Sequence, residues 1–272
     1  MVFSFIRTKL NVWVSSHVAP PRREHSDEPR RLLLIHAHPR ADSYSHALAD
    51  AVENGARDGG HEVRRFALYD YAGTKKEPLG VSFQPCLTAE ESTVAYKTEQ
   101  GLSRFAPDVQ KALTDLHWCD SLVFVYPTWW SNMPAMLKGY LDRVMMPGPE
   151  GAFDMPPRSE LASSTPDAQP EDFSDRRTTS APDGNRVNPR SGLVPRLTNV
   201  KRMAGVSTYG APRHLVFLGG DDGRNTLASA VRQNFAPDCT CLWMGFYSME
   251  HRDDTDRDGF VSLVKKTFRD DF

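Results

Sequence analysis

The sequence predicts an α/β protein built on a doubly wound parallel sheet. Three observations carry this: two unbroken apolar runs, Leu32–Ile35 and Leu122–Val125, an amphipathic helix pattern soon after each, and turn-forming residues between them. Short apolar runs without alternation are strands buried on both faces, as they are when helices cover both sides of a parallel sheet. A chain of 272 residues can bury a core that is stable unaided.

Leu32–Ile35, between Arg30–Arg31 and the turn-rich His36–Asp42, reads as the first strand. From Ser43 onward Leu48, Ala51, Val52 and Gly55 recur at helical spacing, and Gly59 and Gly60 stop that helix. His61–Leu68 reads as the second strand and Pro107–His117 as a helix. The long irregular stretch before that helix includes Leu87–Tyr96, and such stretches carry function or cover a site. Ser121–Tyr126 is the third strand. In the helix that follows, Asn132 is suited to cap it, Pro134 suits its first turn, and Met133, Met136, Leu137, Tyr140, Leu141 and Val144 share one face. Pro147, Gly148 and Pro149 end it.

From about 155 to 191 the chain is rich in Pro, Ser, Asp, Arg and Thr and nearly free of large apolar residues, so it cannot offset its ordering entropy. It reads as a disordered insertion within one domain spanning 31–272, because strand-like sequence resumes at Val200–Thr208 and must pair. A helix over Asn225–Asn234, a strand over Cys239–Phe246 and a closing helix with Phe260, Val261, Val264 and Phe268 on one face complete the pattern. Residues 1–30 read as a disordered or targeting extension. No acidic residue precedes Glu24, while Arg7, Lys9, Arg22 and Arg23 are basic and Ser4, Ser15 and Ser16 are hydroxylated, a composition weakly like that of organellar transit peptides. A cytoplasmic location is the expectation otherwise.

Composition narrows the function classes. A net charge of −2 with mixed signs along the chain argues against a nucleic-acid partner. No run of eighteen apolar residues is present, so no membrane span is expected. Cys86, Cys119, Cys239 and Cys241 form no C-x-x-C pair, so reduced thiols and no metal site are expected.

In such a sheet ligands sit outside the carboxyl ends of the strands, near the point where strand order reverses. Three loops leave strand ends here. In the first, His36–Ser45, helix-start amides, the hydroxyls of Ser43 and Ser45, and the polar groups of His38 and Arg40 suit a phosphate; alternatively Ser43 merely caps the helix, and the loop alone leaves both readings open. No G-x-G-x-x-G is present, which removes the main support for an ordinary dinucleotide-binding fold. In the second loop, Pro127–Asn132, the adjacent Trp129 and Trp130 diverge from one another, leaving at least one ring for a flat ligand unless both pack into the core. The third, Ser207–Pro212, has small residues that permit close backbone approach. Together the loops suit a bound flavin.

These residues resemble the flavodoxin-like NAD(P)H:quinone oxidoreductase family. The resemblance rests on Leu32–Ala49, on Tyr126–Val144 with Pro127, Trp130, Pro134, Leu137 to Gly139, Asp142 and Arg143, and on Ser207–Gly210. It implies a five-stranded parallel sheet of order 2-1-3-4-5 and a bound flavin, FAD in most quinone reductases and FMN in some relatives. It also implies NADPH or NADH as hydride donor, a quinone-like acceptor, ping-pong transfer of two electrons, and a homodimer with its sites at the interface. Carried over by position, His38, Ser43, Tyr44 and Ser45 hold the flavin phosphates. Pro127, Thr128, Trp129 and Trp130, with Ser207, Thr208, Tyr209 and Gly210, hold the isoalloxazine. Phe153 and Trp130 wall the acceptor site, Phe153 that of the partner subunit. Trp130, Tyr209, Gly210 and His214 are the catalytic candidates, His214 being the nearest match to the His that assists hydride transfer in the animal enzymes. The sequence departs from the pattern at Ser131, where some relatives have an aromatic residue, and at Trp129, where several have a polar one. Two other functions are compatible with the fold: a flavodoxin-type electron carrier, against which the near-neutral charge argues, and a non-catalytic nucleotide-sensing subunit.

Overall fold

A computed structural model of the chain describes residues 12–16, 28–69, 105–148, 150–154 and 193–272. The stretch at Leu87–Tyr96, the insertion expected at about 155–191, and Cys86 lie outside the described residues. Strands β1 (Val12–Ser16), β2 (Arg31–His36), β3 (Glu62–Ala67), β4 (Ser121–Pro127), β7 (Arg202–Thr208) and β8 (Thr240–Phe246) form one sheet, while β5 (Phe153–Asp154) and β6 (Val194–Pro195) pair as a small antiparallel ribbon. The spatial order of the large sheet is β1-β8-β7-β4-β2-β3. The five strands from β2 onward run parallel, and counted among themselves they have the expected order 2-1-3-4-5. β1 adds a sixth, antiparallel strand on β8, with Val12 opposite Phe246. It lies within the stretch read from sequence as an extension, and it covers what is otherwise an open sheet edge.

The helices are α1 (Tyr44–Asp58), α2 (Pro107–Trp118), α3 (Ala135–Val144), the short α4 (Arg213–Leu218) and α5 (Asp222–Asn225), and α6 (Asp254–Asp270). Strand residues alternate between two apolar layers. Leu32, Leu34, Val123 and Val125 meet Leu48 and Val52 of α1 and Phe260, Val264 and Phe268 of α6. Leu33, Ile35, Leu122 and Phe124 meet Val109 and Leu113 of α2 and Leu137 and Tyr140 of α3. This two-sided burial is why the strands read as unbroken apolar runs, and each such side chain contributes roughly 1.5–3 kcal/mol.

Three expectations need revision. The helix expected over 225–234 is α5 followed by a π-helical turn, Thr226–Val231, and a 3₁₀ turn, Arg232–Asn234. The wider turn keeps Leu227, Ala228 and Val231 buried. Asn132 does not cap α3, because its side chain accepts from the N–H of Met133 (2.7 Å). Pro134 stands just before the helix instead of in its first turn. Among the described residues, no helix is long and apolar enough to cross a membrane.

Two features of the core make sharp predictions. A Cβ at Gly205 would lie 2.1 Å from the buried ring of Trp243, which packs across β7. Gly205→Ala is therefore expected to destabilise the fold by about 1–3 kcal/mol, seen as a lower urea midpoint with an unchanged slope. β2 ends in His36, which is buried, with the His46 ring edge-on at 5.3 Å. Burial first, then the charges of Arg65, His46 and His38, push its imidazole from 6.5 down to about 3. The folded state thus binds the proton later than the unfolded chain does. The resulting stability is complete above pH 6.5 and is lost at about 1.4 kcal/mol per unit as pH falls toward 3. His36→Gln should flatten that part of the pH–stability curve, and an unchanged slope would place the acid sensitivity elsewhere.

Candidate functional site

The parallel sheet delivers three loops to one end. From β2 the chain crosses to β3 on one side and then to β4 on the other, so the loops after β2 and β4 diverge at the reversal of strand order. With the loop after β7 and the turn after β8 they enclose a cleft of about 480 Å³.

The first loop lines the cleft with His38, Arg40, Asp42, Ser43, Tyr44 and Ser45. Ser43 is extended (φ −77°, ψ 153°) and its Oγ accepts from the N–H of His46, so it caps α1. The capping and ligand-facing readings are compatible, since Ser43 caps the helix and also lines the cleft. The amides of Tyr44 and Ser45 belong to the first turn, where helix geometry supplies no internal acceptor and the dipole favours an anion. The Tyr44 hydroxyl donates to the Arg257 carbonyl (2.8 Å), which ties the helix start to α6. His38 Nδ1 accepts from the N–H of Arg40 (3.0 Å). The neutral ring therefore carries its proton on Nε2, and burial lowers the imidazole pKa in favour of that neutral form. Arg40 and Asp42 form an exposed two-point ion pair (2.9 and 2.8 Å) at the cleft mouth.

The second loop contributes Pro127, Thr128 and Trp129. Thr128 is fixed by its N–H to the Thr208 carbonyl (2.8 Å) and by its hydroxyl against that of Ser207 (2.9 Å). Trp129 is 40% exposed and its ring lies 5.9 Å from that of His38. The two tryptophans do diverge, but in a turn. Trp129 and Asn132 exchange two backbone hydrogen bonds of 2.9 Å each, with Trp130 (φ 51°) and Ser131 (φ 60°) both left-handed between them. That geometry is normally filled by Asn-Gly. Trp130 stands wholly exposed (100%) and is not among the cleft-lining residues.

From the third loop Thr208 and Gly210 line the cleft, and a Cβ on Gly210 would meet nothing within 4 Å. Ser207 and Tyr209 do not. Ser207 is buried and donates to the Tyr126 carbonyl (2.9 Å), and the buried Tyr209 ring stacks on Tyr247 at 4.4 Å. His214 is exposed on α4, outside the lining, and Phe153 sits half-buried in the ribbon opposite Pro195, packed against the α2–α3 layer. Met249 and Glu250 also line the cleft and were missed from sequence. Their signal was their place just past the carboxyl end of the last strand, where the rule that located the other loops applies equally.

Comparison with known proteins agrees with this geometry. Residues 30–162 match a family described by its flavodoxin-like fold. The chain is 34% identical over 117 residues to an uncharacterized NAD(P)H oxidoreductase of Escherichia coli, covering 43% of this chain and 53% of that protein. It is 31% identical over 130 residues to NAD(P)H dehydrogenase (quinone) 1 of Cavia porcellus, covering 44% of each. The chain thus spans about half the length of the curated relatives it matches. Among solved structures, the NAD(P)H:quinone oxidoreductase of Methanothermobacter marburgensis superposes with a TM-score of 0.57 at 18% identity, covering 89% of this chain and 96% of that one. An FMN-dependent NADH-azoreductase of Bacillus anthracis, solved with FMN, gives 0.53 at 14% identity over 88% and 97% of the two chains. At those identities the likeness is one of fold.

Proposed function

We propose that this chain, whose residues 30–162 belong to the flavodoxin-like fold family, binds a flavin in the cleft and passes two electrons from NADH or NADPH to a quinone or similar flat acceptor. The observation that carries the reading is the cleft itself: an aromatic ring, a helix start and bare backbone meet at the carboxyl ends of three parallel strands. The residues present fit a flavin. The first turn of α1, with Ser43, Tyr44, Ser45 and His38, suits the phosphate end. Trp129 offers a stacking wall, and Pro127, Thr128, Thr208 and Gly210 offer backbone and hydroxyl groups to the ring edge. Bound flavin supplies the hydride acceptor and donor, and the protein supplies orientation and electrostatics. FAD is the first expectation and FMN the second. Relatives named as NAD(P)H dehydrogenases acting on quinones support the donor and the acceptor class.

The same reading makes the protein a homodimer, with Trp130 and Phe153 meeting the acceptor in the shared site. Trp130, fully exposed, lies in the turn whose Ser131 carbonyl accepts from the N–H of Gly223 (3.3 Å). A Cβ on Gly219, the residue after α4, would lie 3.8 Å from the Ser131 hydroxyl, so this turn borders the end of α4, where Phe217 (72%) and Leu218 (77%) are also exposed. Solvated aromatic and aliphatic side chains grouped beside a cleft suit a second copy of the chain.

The test begins with the visible spectrum of the purified protein. Bound yellow flavin is expected to bleach on anaerobic addition of NADPH and to recover with a soluble quinone; a colourless protein that takes up neither FAD nor FMN overturns the reading. Two variants then separate the tryptophans. Trp129→Ala is expected to weaken flavin binding about tenfold, the scale of one lost aromatic stack. Trp130→Ala is expected to weaken self-association in sedimentation at unchanged flavin affinity.

A further inference from the structure

Between Gly210 at the cleft and Asp221 the chain makes an excursion over residues 210–220 that contains α4. No residue of α4 is fully buried, and of its apolar side chains Val216 alone packs, half-buried, against the core, so apolar contact holds the excursion only weakly. Its internal hydrogen bonds, such as Leu215 N–H to the Pro212 carbonyl and Gly219 N–H to the Leu215 carbonyl, are local, and near its start the Ala211 carbonyl also accepts from the N–H of Ser248 (3.1 Å). Its two ends, by contrast, are joined by buried polar groups. The Tyr209 hydroxyl donates to Asp221 Oδ1 (3.1 Å) and accepts from the indole N–H of Trp243 (3.2 Å). Asp221 is itself buried and left-handed (φ 45°, ψ 52°), with buried Arg224 at 3.9 Å. Aspartate, like asparagine, enters this region more readily than most residues, so the conformation is compatible with the residue that the clasp requires. Burial raises the carboxyl pKa of Asp221, opposed by the Tyr209 hydrogen bond and Arg224.

Tyr209 is also the joint of the cleft wall. Its neighbours Thr208 and Gly210 both line the cleft. Its N–H donates to the Phe246 carbonyl (2.8 Å) and its carbonyl accepts from the N–H of Met249 (3.0 Å), another lining residue. A shift of Tyr209 therefore moves three lining positions together.

We propose that Asp221 is a positioning residue: by holding the Tyr209 hydroxyl it clasps the two ends of the 210–220 excursion and fixes the Thr208–Gly210 wall of the cleft. The clasp stands on the hydrogen-bond geometry alone, while its effect on flavin affinity rests on the function proposed above.

The closing experiment has one arm for each. In the first, amide hydrogen exchange is followed in flavin-free wild type, Tyr209→Phe, Asp221→Ala and Asp221→Asn. Amides of 213–220 should exchange about tenfold faster in Tyr209→Phe and Asp221→Ala, the scale of one lost hydrogen bond to a charged group. Those of β7 and β8 should keep their protection, and Asp221→Asn, which retains an acceptor oxygen, should stay near wild type. Unchanged exchange over 213–220, or equal loosening of β7 and β8, overturns the clasp. In the second arm, FMN and FAD are titrated by quenching of flavin fluorescence. Tyr209→Phe and Asp221→Ala should each raise Kd about tenfold, and the double variant should be no worse than either. If wild type binds flavin and both variants bind it equally well, the positioning role falls. If wild type binds neither flavin, the function proposed above falls and the exchange data alone decide the clasp.

Discussion

The parallel register of β2, β4 and β7 is the constraint on which the rest of the structure depends. Leu34 lies beside Val123, and Val123 beside Ala204, so the three strands end at nearly the same height. Because they run the same way, the loops after them open on one edge of the sheet. In an antiparallel sheet the same residues would alternate between opposite edges, and no cleft would form. Parallel pairing also requires crossovers, and those helices cover both faces. One choice of strand direction thus accounts for the unbroken apolar strands, the two-sided core and the gathering of His38, Thr128, Trp129 and Gly210.

The features legible in the sequence were those written in local pattern. The apolar runs at Leu32–Ile35 and Leu122–Val125, the helical spacing of Leu48 and Val52, and the stop at Gly59 and Gly60 each report a period or a conformational preference that survives folding. β1 was not legible, because Val12–Ser16 becomes a strand only by pairing with β8, more than two hundred residues away. Tyr209 was misplaced for a related reason. The motif Ser207–Gly210 locates the loop, but which way each side chain points depends on the strand pleat and on distant partners: Tyr247 for stacking, Asp221 and Trp243 for hydrogen bonding. Trp129 and Trp130 show the limit most plainly. Their divergence was expected from strand alternation, yet it arises from a tight turn with two left-handed residues, which nothing in Trp-Ser announces.

Those left-handed residues form a pattern of their own. Four non-glycine residues have positive φ among the described ones: Trp130, Ser131, Asp221 and Ser248. Trp130 and Ser131 follow the cleft residue Trp129, Ser248 precedes the cleft residue Met249, and Asp221 holds Tyr209 between Thr208 and Gly210. At Trp130, Ser131 and Ser248 this costs roughly 1–2 kcal/mol each relative to relaxed backbone, most of which asparagine or glycine would relieve, whereas Asp221 is of a type that tolerates the region better. A buried aspartate beside a tyrosine hydroxyl adds a desolvation cost. Local preference and the observed conformation therefore disagree at the rim of the cleft, while they agree through β2, β4 and α1. A sequence under no demand beyond folding would relax those four positions, because the core neither needs nor contacts most of them: Trp130, Ser131 and Ser248 are not buried. Strain concentrated around one cleft, on a scaffold whose apolar layers are otherwise consistent with their sequence, is the kind of local disagreement expected where a site, and not the core, sets the backbone.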